Sequence, residues 1–269
     1  MPFPTYTAVR YLVPLREGGS LPAVVETDAG GLFVAKFRGA GQGARALVAE
    51  LIAGGLARAA GLPVPELARI QLDAAFGRTE PDPEIQDLLR ASHGINVGLR
   101  YLEGAFPYDP VAVNDLVTPE LAADIVWFDA FVTNVDRTAR NPNLLLWRHA
   151  LYLIDHGAAL YVHHNWTHYD EARIHAPFPP IRQHVLLARA GDLAAADARM
   201  TDRLDEAAVR AILAAVPDAL LMDAPEGKAP PFPTADAARV RYVEYLAGRL
   251  AGPRRFVDDA IAAQEQMED

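Results

Sequence analysis

The sequence predicts an α+β protein with two lobes, a small antiparallel-sheet lobe over residues 1–103 and a mostly helical lobe over residues 104–269. Three observations predict this class. Runs rich in β-branched and aromatic residues, split by turn residues, crowd the N-terminal end, and a helical pattern follows them. Beyond Gly104 the apolar residues recur mainly at helical spacing. The length of 269 residues is enough for two lobes that each bury a core.

The first strands are expected over residues 5–15, 21–27 and 32–37. The separators are Gly18-Gly19-Ser20 and residues 28–31, and both supply glycine for the positive φ that tight hairpins need. This pattern predicts an antiparallel meander. It is followed by a helix from Ala44 to Ala60, in which leucine and isoleucine recur at helical spacing until glycine and proline end it.

Two more strands are expected over residues 63–72 and 95–102, with a short helix between them. In the second lobe, Pro119 to Thr133 is an apolar helix with Thr118 as its N-cap and proline at its first position. The remaining predictions are a strand pair at 144–147 and 151–154 and helices at about 181–190, 203–216 and 234–266.

Composition and charge exclude several classes of function. The formal charge of −10 disfavours binding to nucleic acid, because such binding depends on Lys and Arg contacts with phosphates. The absence of cysteine excludes disulfides and thiolate metal sites. The N terminus lacks a signal-peptide pattern, and no long apolar run is free of charge. We therefore expect a cytoplasmic protein with no nucleic-acid or membrane partner.

Lysine is rare in this chain, since the 25 basic residues include only Lys36 and Lys228. Lys228 lies in a proline-flanked loop, whereas Lys36 interrupts the apolar run at 32–37. A lysine presents a compact point charge, which suits a phosphate better than the arginine used elsewhere in the chain. The alternative is a solvated lysine at a strand edge, but its apolar neighbours favour a function for Lys36.

Three polar residues that follow the predicted helix at 119–133 have the spacing expected for phosphoryl transfer. Asp136 is followed five residues later by Asn141, and Asp155 ends an apolar strand two residues before Gly157. Such chemistry needs a carboxylate to orient the attacking hydroxyl and hard oxygen ligands for Mg²⁺. The protein-kinase pattern has the same spacing. Asn143 is a second candidate for the metal ligand. The alternative is that Asp136 only ends the helix and that Asn141-Pro142-Asn143 only forms a turn.

Glu50 follows Lys36 on the helix after the third strand, which is the order of a phosphate-holding lysine and its orienting glutamate. It lies on the helix face of Leu47 and Leu51, where a carboxylate needs a cationic partner. A surface pair with a nearby arginine is the alternative. The preferred interpretation pairs Glu50 with Lys36.

Together these segments resemble the HipA-like serine/threonine kinases, in the shorter form that lacks the amino-terminal extension of the toxin enzyme. The resemblance runs from about Val34 to Gly157 and is carried by VAKFRGAGQG, ELIAGGLARAAGLPVPE, GLRYLEG, TNVDRTARNPNLLL and YLIDHG. It implies a bilobal protein-kinase-like fold with ATP and Mg²⁺ in the cleft. It further implies Lys36 on the α- and β-phosphates, Asp136 as catalytic base, and Asn141 and Asp155 as metal ligands.

The resemblance also implies the remaining nucleotide contacts. The segment Arg100-Tyr101-Leu102-Glu103 would be the adenine-binding hinge, chiefly through backbone groups. The first hairpin offers Gly18, Gly19 and Ser20 as the phosphate loop, where the toxin kinases have a Ser-x-x-Gly-x-Gln type sequence. Whether Ser20 is self-phosphorylated stays open, and without the extension an antitoxin-like regulator does not carry over automatically.

The acceptor is a protein Ser or Thr by this resemblance. A small-molecule kinase of the same fold and a non-catalytic ATP-binding scaffold are the alternatives. The cluster of His163, His164, His168 and His175 invites a zinc interpretation, but it lacks the helix-borne Glu of a zinc-protease motif. A partly exposed, substrate-facing loop is the preferred interpretation of this region.

Overall fold

The computed structural model describes residues 3–15, 21–29, 31–78, 80–111, 116–224 and 227–268. Within these residues the N-terminal strands are β1 Thr5–Pro14, β2 Ala23–Thr27, β3 Leu32–Lys36, β4 Leu67–Leu72 and β5 Gly94–Arg100. They form a closed barrel with the strand order β1-β2-β3-β5-β4. Neighbouring strands pair antiparallel except β1 and β4, which close the barrel in parallel over Thr5–Thr7 and Arg69–Gln71. The predicted meander is confirmed.

Alternation along β3 places Lys36 on the outer face of the barrel. Phe33 and Ala35 are fully buried in the barrel interior, so Val34 and Lys36 face the opposite way. Helix α2, Pro83–Ala91, contributes Ile85 and Leu89 to the same interior cluster. The barrel is therefore a small filled core that holds Lys36 on its surface.

Helix α1, Gly43–Ala59, connects the barrel to the rest of the molecule. It is buried on nearly all sides and belongs to the larger core cluster, which also contains the C-terminal helices. A Cβ added at Gly55 would lie 3.0 Å from side-chain atoms of both Phe3 and Ile212. Helix α1 is therefore packed tightly against Phe3 and Ile212 at this position.

The second half begins with helix α3, Pro119–Phe131, whose N-cap Thr118 accepts a hydrogen bond from the Leu121 amide at 3.1 Å. This confirms the predicted start of the helix. A second sheet follows in the order β6-β7-β8. Its strands are β6 Phe106–Pro107, β7 Leu144–Trp147 and β8 Ala150–Leu153.

The later helices differ from the sequence prediction. The helix expected at 181–190 is wrong: short 3₁₀ turns at Pro179–Gln183 and Leu187–Arg189 occupy this stretch, because His184 between them has an extended backbone and forms an isolated β-bridge with Thr138. The single helix expected at 234–266 is two helices, interrupted where Gly252 adopts a φ of 89° before Pro253. The bounds are α4 Leu193–Arg203, α5 Glu206–Ala215, α6 Asp218–Leu221, α7 Ala235–Ala251 and α8 Arg255–Glu268.

The fold is α+β, rich in sheet in its N-terminal part and helical in its C-terminal part, as the sequence predicts. The lobe boundary at residues 103 and 104 stays a prediction. In the part of the chain that the structure describes, no helix has the length and apolar character that crossing a bilayer requires.

Candidate active site

Lys36 lies between two carboxylates. Its Nζ is 2.5 Å from Glu50 Oε2 and 2.6 Å from Asp155 Oδ1. The Glu50 side chain is 0% exposed, that of Lys36 is 12% exposed, and that of Asp155 is 43% exposed. The lysine thus bridges a fully buried carboxylate and one that reaches solvent. The structure brings together three residues that the sequence singles out from a strand, a helix and a turn.

Glu50 also holds the turn that follows Asp155. The His156 amide donates to Glu50 Oε2 at 2.9 Å, and His156 Nδ1 is 3.3 Å from Oε1. Burial acts to raise the pKa of the Glu50 carboxyl, but Lys36 and His156 hold that pKa well below its usual range. Burial likewise acts to lower the pKa of Lys36, yet Glu50 and Asp155 outweigh it and raise the pKa. The pair is therefore charged at neutral pH.

Asp136 lies on the loop after α3 and is held by amide side chains. Asn141 Nδ2 donates to Asp136 Oδ2 at 2.8 Å, and Asn143 Nδ2 donates to the same oxygen at 3.3 Å. The Asp136 amide in turn donates to Asn134 Oδ1 at 3.2 Å. The structure thus brings together Asp136, Asn141 and the second candidate, Asn143. Because the amide nitrogens face Asp136, metal ligation by either asparagine would use its amide oxygen.

The loop that carries Asp136 and the turn that carries Asp155 are neighbouring segments. The Ile154 amide donates to the Asn143 carbonyl at 3.0 Å, so the residue before Asp155 is bonded to the end of the Asp136 loop. This contact continues the pairing of β7 with β8. Asp155 itself has a φ of 54°, so the chain turns at the point where its carboxylate meets Lys36.

The predicted hinge begins at Arg100, the last residue of β5, and its first two residues are hydrogen-bonded within the barrel. The Arg100 guanidinium donates to Glu66 Oε2 at 2.6 and 3.1 Å and lies 4.5 Å from the centre of the Phe33 ring. The Arg100 and Tyr101 amides donate to the carbonyls of Glu66 and Leu32. The Arg100 side chain and these two amides therefore fasten the end of the barrel.

The rest of the hinge connects to the second sheet. The Leu102 side chain is buried, and its carbonyl accepts from the Ala105 amide at 3.0 Å. The Glu103 carbonyl accepts from Trp147 Nε1 at 2.9 Å. Adenine binding by this segment stays a prediction. Gly18, Gly19 and Ser20 of the predicted phosphate loop lie outside the described residues.

Two of the histidines after Gly157, His163 and His164, are engaged in packing. His163 is fully buried, its Nδ1 lies 3.1 Å from the Tyr242 hydroxyl, and burial lowers its pKa well below the usual value. The rings of His163 and His164 pack edge to face, with 4.5 Å between their centres. Among the residues that the structure describes, no group of His, Asp and Glu side chains is arranged to hold a metal ion. The His168 side chain is outside the described set.

The sequence analysis missed a buried polar group beside Asp136. Asp129 Oδ2 is 2.6 Å from Arg137 Nε and 2.9 Å from His184 Nε2, and Oδ1 accepts from Asn134 Nδ2 at 3.0 Å. Burial acts to raise the pKa of Asp129, but Arg137 and His184 hold it well below its usual range. The available signal was a lone aspartate among apolar residues late in α3, which needs a cationic partner just as Glu50 does.

An α+β fold with a sheet-rich N-terminal part and a helical C-terminal part, in which a lysine lies between a buried glutamate and the aspartate of a glycine turn, is typical of a kinase-like class of protein. A model of the family described as HipA-like kinase matches residues 9–237, so the chain belongs to the HipA-like kinase family. This confirms the resemblance.

The structure is similar to the crystal structure of the Helicobacter pylori proinflammatory kinase CtkA, with a TM-score of 0.54. The match covers 100% of this chain and 99% of that chain at 11% sequence identity, so the likeness concerns the fold alone. Among curated proteins, none matches this chain.

Proposed function

We propose that the protein is an ATP- and Mg²⁺-dependent phosphotransferase that transfers the γ-phosphate to a serine or threonine hydroxyl of another protein. One observation carries the proposal: Lys36 Nζ lies between Glu50 and Asp155, and the loop with Asp136 adjoins them. Membership of a kinase family supports it.

The residues present fit a nucleotide with Mg²⁺. Magnesium prefers hard oxygen ligands, and Asp155 and Asn141 offer carboxylate and amide oxygens. Held by Asp155 and Asn141, Mg²⁺ would supply positive charge that neutralises the phosphates. Lys36, kept in place by the buried Glu50, would present its ammonium to the α- and β-phosphates.

Asp136 is the proposed base. The amides of Asn141 and Asn143 fix its carboxylate, so that it can orient the acceptor hydroxyl for in-line attack. In this step a bond forms between the acceptor oxygen and the γ-phosphorus, and the bond from that phosphorus to the β–γ bridging oxygen breaks. The acceptor proton passes to Asp136, and ADP leaves with the bridging oxygen.

The test is transfer of label from γ-labelled ATP to proteins of a cell lysate, followed by identification of the labelled residues. We expect phosphoserine or phosphothreonine with the wild type, and loss of at least about 10²-fold with Asp136→Asn. The exposed Asp202 on α4 provides the matched control, and Asp202→Asn should transfer like the wild type.

The alternatives give different results. Label that appears only on a small hydroxyl compound would exclude the protein acceptor and favour a small-molecule kinase. ATP binding without transfer to any acceptor, unchanged by Asp136→Asn, would exclude phosphotransfer and favour the non-catalytic scaffold.

A further inference from the structure

Asp129 organises the backbone around the proposed base. It lies in the last turns of α3, is fully buried, and accepts hydrogen bonds from Arg137, His184 and Asn134. Asn134 in turn accepts from the Asp136 amide at 3.2 Å. Asp129 is therefore one side chain away from the backbone of the base and belongs to the rigid helix that precedes it.

Arg137 links the loop that carries the proposed base, Asp136, to the turn that carries the proposed metal ligand, Asp155. While its Nε donates to Asp129, its Nη1 donates to the Asn143 carbonyl and to the Ile154 carbonyl, the latter at 3.3 Å. Asn143 is a residue whose amide holds Asp136, and Ile154 directly precedes Asp155. One planar guanidinium therefore fixes the spacing between the segments that carry the proposed base and a proposed metal ligand.

His184 connects a third segment to the same carboxylate. Its Nδ1 accepts from the Leu186 amide at 3.1 Å, so the ring proton is on Nε2, which donates to Asp129 at 2.9 Å. The neighbouring Val185 amide donates to the Arg137 carbonyl at 3.1 Å. The chain beyond Gly157 is thus anchored by a side chain to Asp129 in α3 and by its backbone to the loop that carries Asp136.

We propose that Asp129, Arg137 and His184 form a positioning triad that sets the geometry of phosphate transfer without touching the nucleotide. The inference rests on the proposed function. A displacement of about 1 Å of a reacting group can cost about 10²-fold in rate. Arg137 bonds to the carbonyls of Asn143 and Ile154, next to the proposed metal ligand. Asp129 holds Arg137 and reaches the Asp136 amide through Asn134, and His184 donates to the same carboxylate, so a change in any member would displace the segments that carry Asp136 and Asp155.

The experiment measures ATP hydrolysis, with water as acceptor, over a range of ATP concentrations. Arg137→Lys keeps the charge but loses the planar fork, so we expect kcat to fall about 10²-fold with KM for ATP changed by less than about threefold. The matched control is Arg199→Lys, which alters another arginine paired with a buried α3 aspartate, Asp124, away from the loop. It should leave kcat unchanged.

His184 supplies a second and milder test in case Arg137→Lys does not fold. His184→Gln can place an amide N–H near the position of Nε2 and should retain most of kcat. His184→Leu cannot donate and should lose about tenfold, with KM for ATP unchanged. If glutamine but not leucine retains kcat, the hydrogen bond from residue 184 to Asp129 is what positions the site.

Several outcomes overturn the triad. One is an active wild type together with an unchanged kcat in both Arg137→Lys and His184→Leu. Another is a rise in KM for ATP at constant kcat in these variants. The same holds if Arg199→Lys lowers kcat as much as Arg137→Lys does. A wild type that neither hydrolyses ATP nor transfers phosphate would instead refute the proposed function, and the triad with it.

Discussion

Glu50→Gln is the substitution whose effect on stability the structure defines best. The glutamine keeps the shape of the buried side chain but removes the charge opposite Lys36. The glutamine oxygen can still accept from Lys36 and from the His156 amide, with the NH₂ placed beside His156 Nδ1, so the substitution chiefly removes the negative charge.

The magnitude follows from burial. Removing one partner of a buried ion pair costs about 3–5 kcal/mol. Lys36 keeps Asp155, which is 43% exposed and partly solvated, so we expect the lower end of this range, about 3 kcal/mol. For a chain of this size that corresponds to a fall in Tm of about 6–12 °C.

The assay is thermal unfolding followed by circular dichroism, with Glu206→Gln as the control. Glu206 forms an exposed pair with Arg210 one helical turn away, and such pairs contribute at most about 1 kcal/mol. Equal shifts in Tm for the two variants would refute the buried ion pair and with it the proposed role of Glu50.

Two further predictions concern buried residues outside the site. Burial lowers the pKa of His163 from 6.5, so below that pH the unfolded chain binds more protons than the folded one. The free energy of unfolding should therefore fall as the pH falls below 6.5, by up to about 1.4 kcal/mol per pH unit. In urea titrations, His163→Gln should show a weaker dependence of this free energy on pH than the wild type. The same pH dependence in both proteins would contradict the assignment to His163. Arg249 is buried and donates to the Ala130 and Phe131 carbonyls at the end of α3. Arg249→Met should cost about 2–4 kcal/mol in urea unfolding, whereas Arg241→Met, at a more exposed site on the same helix, should cost much less; equal losses would exclude the capping role.

Local sequence patterns were enough to predict the contact between Lys36 and Glu50. Alternation along β3 separates Lys36 from the buried Phe33 and Ala35, and Glu50 lies within the buried run of α1. A buried carboxylate needs a cation, which made the contact between Lys36 and Glu50 predictable. Asp155 was predictable as a site residue, but its direct contact with Lys36 was not, because it depends on how the turn meets the barrel.

The rest required tertiary information. His184 meets Asp129 through a stretch of short 3₁₀ turns, which has no periodic pattern to predict. The parallel contact that closes the barrel joins β1 to β4, strands far apart in sequence. The break before Pro253 was readable in principle from Gly252-Pro253, but the apolar spacing continues across it.

The most direct test of the central claim is the change in Tm on adding ATP with and without Mg²⁺, in the wild type and in Asp155→Asn. If Lys36, Glu50 and Asp155 form a nucleotide site, saturating ATP at about 100 times its Kd should stabilise the wild type by about 2.7 kcal/mol with Mg²⁺ and by much less without it. Asp155→Asn should lose this metal dependence while remaining folded. A wild type that ATP and Mg²⁺ do not stabilise, or an Asp155→Asn variant that responds to Mg²⁺ as the wild type does, would contradict the account.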